Sequence, residues 1–175
     1  MDMVELHTDR LLIREMTEDD ARFVVSIRNR TEVHKWFFRP KKITVEEHLT
    51  WFCNTRDDRL DFIIELKDKE EAVGIFNFKF ENGPTVEHGK IISPEYAGKG
   101  IATEASIRLF KYAFTELGIE KIKSVTRSDN NANLGFLDKF GFESSKPFTA
   151  ERHGNEMEVI ESELTPDQFQ NIDIS

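Results

Sequence analysis

The sequence predicts a single α+β domain built on a mostly antiparallel sheet, and three observations lead to that prediction. Its 175 residues suit one hydrophobic core rather than two. Strand-like runs at residues 62–66, 73–80 and 85–92 follow one another with only short turns between them, as in an antiparallel meander. After Gly100 the spacing of apolar residues changes from the period of a strand to that of a helix.

The N-terminal part of the chain predicts one strand followed by two helices. Leu11, Leu12 and Ile13 stand between two arginines and form a short strand bounded by charge. Thr17 precedes three acidic residues, which favour the start of a helix because the helix dipole is positive there. Thr44 opens the spacing Thr-x-x-Glu of a capping box, so a second helix begins at that point.

Turn residues separate the three central strands. Five consecutive charged residues at 67–71 divide the first strand from the second. The sequence Glu-Asn-Gly-Pro at 81–84 divides the second from the third, and its glycine and proline favour a tight turn. The third strand stops before Pro94, which has no N–H to donate to a neighbouring strand.

A long helix and another strand follow in the second half of the chain. The helix is predicted at residues 101–117, where Gly118 is placed to end it. Its apolar stripe consists of Ile107, Phe110, Phe114 and Leu117. Residues 121–126 then alternate between polar and apolar side chains, which predicts a strand.

The last elements are a short helix and two strands. The helix is predicted at residues 131–140, and strands follow from residue 142 and at residues 157–160 on either side of a turn. The predicted order is therefore β-α-α-β-β-β-α-β-α-β-β. An acidic and loosely packed tail is predicted at about residues 164–175 of this single domain, residues 1–175.

Composition argues against several classes of function. A formal net charge of −9 disfavours non-specific binding to nucleic acid, which needs a surplus of lysine and arginine. No stretch approaches the ~20 apolar residues of a membrane span, and the histidines show no ligand spacing, so we predict no metal site. Cys53 is the only cysteine, which rules out an intramolecular disulfide and suits a reducing compartment. We therefore expect a cytoplasmic protein with no nucleic-acid or membrane partner, either a monomer or a homodimer.

The most informative segment is a glycine-rich turn between the third central strand and the long helix. Such a turn aims unpaired backbone N–H groups and the positive end of the helix dipole at one point, which suits a pyrophosphate. Gly98 and Gly100 allow a close approach of the anion, Lys99 adds positive charge, and Ala102 keeps the first helical turn slim. The spacing of a P-loop is absent, and the dinucleotide-binding turn would need a βαβ unit here.

This turn is part of a longer resemblance to a known family. Residues 93–105, Ser-Pro-Glu-Tyr-x-Gly-Lys-Gly-Ile-Ala-Thr-Glu-Ala, resemble the acetyl-CoA loop of the GNAT N-acetyltransferases. Residues 8–14 resemble the opening strand of the branch that includes the ribosomal-protein N-terminal acetyltransferases, and Asn130 with residues 137–142 resembles the closing motif of the family. The resemblance implies a GNAT fold: a mostly antiparallel, splayed sheet of about seven strands with about four flanking helices.

The resemblance also implies how acetyl-CoA binds and reacts. The acetyl group would pass directly to a primary amine in a ternary complex, without a metal. Main-chain groups around Ile91, Ile92 and Ser93 would pair with the pantetheine arm and polarise the thioester carbonyl. The Asn130 side chain would bind the same arm. The backbone that would hold the pyrophosphate consists of Gly98, Lys99, Gly100, Ile101 and Ala102.

Two positions depart from the family pattern. Ala97 replaces the usual Gln or Arg, so one side-chain contact with acetyl-CoA is missing. Leu137 replaces the tyrosine that protonates the departing thiolate in many members, and Asn133 stands one helical turn earlier. We therefore expect the thiolate to take its proton from water or from another group.

Glu87 is the predicted general base. An ammonium group must lose a proton before it attacks a thioester, and related enzymes commonly carry a glutamate at this position. His88 points to the opposite face of the strand and is expected to be structural. A solvated carboxylate with no catalytic role remains the alternative for Glu87.

The segment between the first two helices is the predicted substrate wall. Its aromatic rings and its basic cluster at residues 28–42 suit a base, a sugar and a diphosphate. It is similar to acetyltransferases that act on nucleotide-linked amino sugars, and the predicted substrate-binding residues are Arg28, Trp36, His48 and Trp51. An ordinary core position is the alternative for Trp36 and Trp51. A protein or peptide N-terminal amine is the first alternative, a polyamine the second, and an acyl-CoA sensor without catalysis belongs to another class.

Overall fold

The computed structural model describes residues 2–173 and places nine strands in one mixed sheet. The strands are β1 (Glu5–His7), β2 (Leu11–Glu15), β3 (Arg59–Leu66), β4 (Glu71–Phe80), β5 (Thr85–Ile92), β6 (Lys121–Arg127), β7 (Glu143–Ser144), β8 (Phe148–Arg152) and β9 (Asn155–Leu164). The helices are α1 (Ala21–Arg28), α2 (Thr31–His34), α3 (Val45–Asn54), α4 (Ile101–Thr115), α5 (Asn131–Lys139) and α6 (Pro166–Gln170). The predicted fold class is confirmed.

The sheet divides into two antiparallel parts that are joined by a short parallel pairing. Strands β1 to β5 form the predicted meander, and β9 pairs antiparallel with β6, β7 and β8. Between the two parts, residues 85–87 of β5 pair parallel with residues 121–123 of β6. Beyond that point the strands separate, and the gap between residues 88–92 of β5 and residues 124–127 of β6 is called the wedge below.

Helices cover both faces of the sheet. Helices α1 and α3 lie on one face over a small core that includes Met16, Val24 and Phe52. Helices α4 and α5 lie on the other face over the main core, which includes Phe110 and Leu137. The side chains of β5 alternate between these two layers. Its even-numbered residues face α4 and α5, and its odd-numbered residues face α1 and α3.

The structure has more short elements than the sequence predicted. Strands β1 and β7 have three and two residues, and α2 has four, which is too short for a periodic pattern to reveal. None of the helices in residues 2–173 is long and apolar enough to cross a membrane. Cys53 is exposed on α3.

The C-terminal segment differs from the loosely packed tail that the sequence suggested. Thr165 and Gln168 form a reciprocal capping box that starts α6. The ring of Phe169 then packs against the rings of Phe114 and Phe110, with centroids 5.6 and 6.3 Å away. Phe169 and Ile172 of this segment therefore pack against the main core, and residues 174–175 lie outside the described part.

Candidate functional site

The glycine-rich turn at the end of β5 presents a row of free N–H groups. Gly98 and Gly100 have φ angles of 74° and 77°, a left-handed conformation that favours glycine, and Gly100 is the N-cap of α4. The N–H groups of residues 98–102 have no acceptor among residues 2–173. They therefore remain available to an anion at the positive end of a 15-residue helix.

A network centred on Glu104 ties this turn to the start of β2. Its carboxylate accepts hydrogen bonds from the Thr8 hydroxyl at 2.6 Å and from the Arg10 Nε at 2.6 Å. The Arg10 Nη1 also donates to the carbonyl oxygen of Lys99 at 2.9 Å. Burial would raise the pKa of Glu104, but the bonds from Thr8 and Arg10 hold it below its usual range. Residues 8–14 were noted in the sequence only as a family resemblance, and the pairing with Glu104 was missed.

The predicted main-chain contacts of the pantetheine arm are only partly available. The Ser93 N–H donates to the carbonyl oxygen of Val73 on β4, and Ile91 pairs with Ile75 of the same strand. Because backbone groups alternate in direction along a strand, those of Ile92 and Lys90 point into the wedge instead. The ammonium of Lys99 lies over the Tyr96 ring, 5.1 Å from its centroid.

Helix α5 begins at the open side of the wedge with two asparagines. The Asn130 side-chain oxygen accepts from the Asn133 N–H at 3.2 Å, so Asn130 is the N-cap of the helix. The Asn130 amide nitrogen has no acceptor in the described part of the chain. The Asn133 side chain donates to the Thr126 hydroxyl of β6 at 2.8 Å and accepts from the Lys90 ammonium at 2.9 Å. Leu137 is fully buried in the main core.

Glu87 lies on the other face of β5 and is held by an arginine. Its two carboxylate oxygens accept from the Arg152 Nη1 and Nη2 at 3.1 and 3.3 Å. Arg152 is at the end of β8, next to the hairpin that leads into β9. The sequence spacing gave no sign of this pair, because 65 positions separate its members.

An aromatic rim, defined by Trp36, Phe38, Arg127 and Arg152, lies on the same side of the sheet as Glu87. The Arg152 guanidinium stands 5.3 Å from the Phe38 ring centroid, and that of Arg127 stands 5.7 Å from the Trp36 centroid. Arg127 also donates to the carbonyl oxygen of Lys35 at 2.9 Å. These contacts fasten the segment after α2 to the ends of β6 and β8.

Trp36 is the one predicted substrate residue among the four that define this rim. Trp51 packs against the small core, with the guanidinium of Arg59 4.6 Å from its ring. His48 is 2 % exposed, and neither of its ring nitrogens has a partner among residues 2–173. Arg28 lies over the Phe37 ring at 4.9 Å, and burial lowers its pKa. A ligand could reach His48 only if the layer of α1 and α3 opened.

His88 occupies the structural position that the sequence suggested. Its ring is buried, stacks on Phe76 at 5.5 Å and packs edge-on against Phe110 at 5.1 Å. Its Nδ1 lies 3.2 Å from the carbonyl oxygen of Lys123, which makes a neutral ring with a hydrogen on Nδ1 the favourable state. Burial, with a further contribution from the charge of Lys90, lowers the pKa of His88 from 6.5 to about 3.

This shift predicts that the fold becomes less stable in acid. Between pH 6.5 and 3 the unfolded chain binds a proton at His88 and the folded chain does not. The free energy of unfolding should therefore fall by about 1.4 kcal/mol for each pH unit below 6.5 on account of this one group. Urea unfolding at several pH values should show a shallower slope for His88→Phe than for the wild type. Equal slopes in His88→Phe and the wild type would disprove the shift.

No group of histidine, cysteine, aspartate or glutamate side chains in the described residues is arranged to hold a metal ion. The free amides beside Gly98 and Gly100 and the open wedge suit a molecule that has a diphosphate at one end and a thin polar arm at the other. CoA has that form, so the residues present fit the co-substrate.

Comparison with known proteins gives consistent results. The sequence model of the acetyltransferase (GNAT) domain matches residues 10–143. The chain is 31% identical to the spermidine N(1)-acetyltransferase of Escherichia coli (strain K12) over 134 residues, 74% of this chain and 71% of that protein. It is 28% identical to the uncharacterized N-acetyltransferase YoaA of Bacillus subtilis (strain 168) over 145 residues, 79% of this chain and 82% of that one.

A similar solved structure agrees at the level of the fold. The spermidine N-acetyltransferase from Vibrio cholerae, in complex with CoA and spermine, superposes with a TM-score of 0.82 at 21% identity and covers 94% of this chain and 100% of that one. The family match extends over most of the chain and includes the glycine-rich turn, the wedge and the start of α5. The chain therefore belongs to the GNAT acetyltransferase family and is an acyltransferase that uses acetyl-CoA as its co-substrate.

Proposed function

We propose that this acetyltransferase acetylates the primary amine of an anionic small molecule, such as a nucleotide-linked amino sugar. The aromatic rim is the observation that carries the proposal, because it combines two flat rings with two guanidinium groups. Rings of this kind stack on a base or sugar. A guanidinium has five N–H groups, and those of Arg127 and Arg152 that are not bonded to Asp129, Lys35 or Glu87 can donate to a phosphate. An acceptor with both parts would use the whole rim.

The position of acetyl-CoA is the second part of the proposal. The free N–H groups of residues 98–102 would bind the pyrophosphate, and the pantetheine arm would enter the wedge along β5. The main-chain groups of Ile92 and Lys90 point there, and the free Asn130 amide nitrogen stands at the start of α5. The thioester would then lie where β5 and β6 begin to separate, close to Glu87.

Glu87 is the proposed base for the acceptor. The amine arrives as an ammonium group, loses a proton to Glu87 directly or through one water, and its nitrogen then attacks the thioester carbon. Wedge-facing N–H groups of β5 would stabilise the negative charge that forms on the carbonyl oxygen. Arg152 would hold the carboxylate in place through its two hydrogen bonds.

A polyamine acceptor is less suited to this rim, although the E. coli relative is named for spermidine. A polycation needs carboxylates that are not already neutralised. The two nearby carboxylates, Glu87 and Asp129, each form two hydrogen bonds with an arginine of the rim. A long cation would therefore find both of these carboxylates already paired with an arginine.

Release of free thiol from acetyl-CoA tests the choice of acceptor. We expect a nucleotide-linked amino sugar to give a kcat/KM at least ten-fold above that of spermidine or of a peptide with a free N-terminal amine. Preference for spermidine or for the peptide would replace the proposed acceptor. Tight CoA binding with no release in the presence of any of these amines would indicate a sensor.

Arg127→Gln should weaken the binding of the proposed acceptor without changing the binding of CoA. Loss of a charged hydrogen bond to phosphate costs about 1.5–3 kcal/mol, so KM for the nucleotide sugar should rise by roughly ten-fold or more. The affinity for CoA should stay the same. Lys111→Gln removes the same charge from an exposed site on α4, on the other face of the sheet. It should leave the KM for the acceptor and the affinity for CoA unchanged. Equal acceptor KM values in the two variants would exclude Arg127 from the acceptor site.

A further inference from the structure

Lys90 is a lysine in an unusual position inside the wedge. Its ammonium donates to the Asn133 side-chain oxygen at 2.9 Å and stands 3.7 Å from the centroid of the Phe136 ring. Asn133 in turn donates to the Thr126 hydroxyl on β6. The three side chains thus bridge β5, α5 and β6 across the gap. In the described part of the chain no carboxylate lies within salt-bridge distance of this ammonium.

We propose that Lys90 is the proton donor to the sulfur of CoA when the thioester bond breaks. This proposal rests on the proposed position of the pantetheine arm in the wedge. Leu137, at the position where a tyrosine acid would stand, is fully buried and has no proton to give. Asn133 is a polar side chain of α5 that faces the wedge. The Lys90 ammonium donates to its side-chain oxygen and carries a proton that can be transferred.

The two catalytic groups would then act from opposite faces of the same strand. Glu87 faces the aromatic rim, from which the amine would approach, whereas Lys90 faces α5. After the amine nitrogen has attacked, the tetrahedral intermediate collapses and the C–S bond breaks. Glu87 releases the first proton of the acceptor to solvent, accepts the second one from the acceptor nitrogen, and releases that one to solvent as well. The sulfur takes a proton from the Lys90 ammonium, and Lys90 recovers a proton from solvent. The net reaction releases one proton for each acetyl group transferred.

The charge environment allows Lys90 to act near neutral pH. Burial lowers the pKa of Lys90 from 10.5 to about 7, below the value of about 8.5 for an ordinary thiol, so proton transfer to a thiolate is favourable. The facing groups among residues 2–173 add no charge. His88 on the same strand is neutral because its own pKa is low, and Asn133 and Phe136 on α5 are neutral side chains.

A structural role alone explains this lysine less well. Lys90 is partly buried, and an ammonium held there without a carboxylate is costly. An apolar side chain beside Phe136 would pack without that penalty. That cost is offset if the Lys90 ammonium interacts with a ligand that develops negative charge in the wedge.

Lys90→Met is the direct test, because methionine keeps the length and removes the proton. We expect kcat to fall by roughly 100-fold, with the dissociation constant for CoA and the KM for the acceptor within about three-fold of the wild type. In the wild type, kcat should decline as the pH rises past about 7 and Lys90 loses its proton. That alkaline decline should be absent in the variant. Lys111→Met, on the exposed side of α4, should keep the wild-type rate and profile.

Lys90→Arg separates charge from proton donation. The guanidinium keeps the positive charge but does not release a proton near neutral pH, so this variant should be about as slow as Lys90→Met. A wild-type rate in Lys90→Arg would show that charge alone is needed, and it would overturn the acid role. An unchanged kcat or an unchanged alkaline decline in a folded Lys90→Met protein would overturn it as well.

The test also separates this inference from the proposed position of CoA. If folded Lys90→Met fails to bind CoA by calorimetry, Lys90 holds the arm and the acid role is wrong, while the wedge assignment stands. If a variant of the glycine-rich turn binds CoA normally, the position of CoA is wrong whatever the result for Lys90.

Discussion

Replacing Gly100 with aspartate is expected to abolish measurable CoA binding while the protein stays folded. The new carboxylate would stand at the N-cap of α4, beside the free N–H groups of residues 98–102. Two like charges about 4 Å apart near a protein surface repel by about 4 kcal/mol, and a diphosphate carries more than one. The dissociation constant for CoA should therefore rise by at least roughly 100-fold, as measured by calorimetry.

Backbone strain has to be separated from charge in this experiment. Gly100 has a positive φ, and an added Cβ would stand 3.4 Å from the Arg10 Nη2, so any side chain perturbs the turn somewhat. Gly100→Ala measures that effect without the charge and should lose much less affinity. Gly83→Asp is a matched control, because Gly83 has a φ of 71° and open space around its Cβ in the turn before β5. Normal CoA affinity in Gly100→Asp would exclude this turn as the pyrophosphate site.

Local sequence patterns were sufficient to predict the features that lie within one segment of the chain. The alternation in residues 73–80 predicted β4, and Gly98 and Gly100 predicted a turn whose N–H groups are free, as the structure shows. The spacing of Thr165 and Gln168 is equally typical of a capping box, but the acidic composition of the tail favours loose packing. Composition is a weak guide to packing when two aromatic rings can anchor a short helix.

Contacts between distant segments could not be predicted in this way. The pairs Arg10 and Glu104, Glu87 and Arg152, and Lys90 and Asn133 are separated by 94, 65 and 43 positions. Hydrophobic periodicity fixes which face of an element is buried, but not which residue of another element lies opposite it. The sequence therefore indicated an anion-binding turn and a base on β5. It did not reveal that Arg152 pairs with Glu87 or that Lys90 pairs with Asn133 in the wedge.

Glu87→Gln is expected to lower kcat by roughly 100-fold and to leave the affinity for CoA unchanged. Glutamine keeps the shape of the side chain and cannot accept the proton of the acceptor ammonium. The loss in kcat/KM should be greatest at acidic pH, where nearly all the acceptor is protonated and deprotonation by the enzyme is needed. It should shrink as the pH rises, because free amine then arrives from solution. Rates measured over a range of pH by thiol release would show this trend.

The pair with Arg152 provides the control that decides between a base and a structural carboxylate. If Glu87 only anchors Arg152, then the defect of each variant should be the same at every pH, and the double variant should be no slower than Arg152→Met. Arg152→Met removes both hydrogen bonds, whereas Glu87→Gln keeps one acceptor oxygen for Arg152. If Glu87 is the base, Arg152→Met should mainly raise the KM of the acceptor, since the carboxylate remains and the rim loses a cation. Glu87→Gln alone should then show the large and pH-dependent loss of kcat, and the double variant should be slower than either single one. Because Glu87 and Lys90 are on opposite faces of β5, their two pH signatures should be independent, one at the acidic and one at the alkaline side of the rate profile.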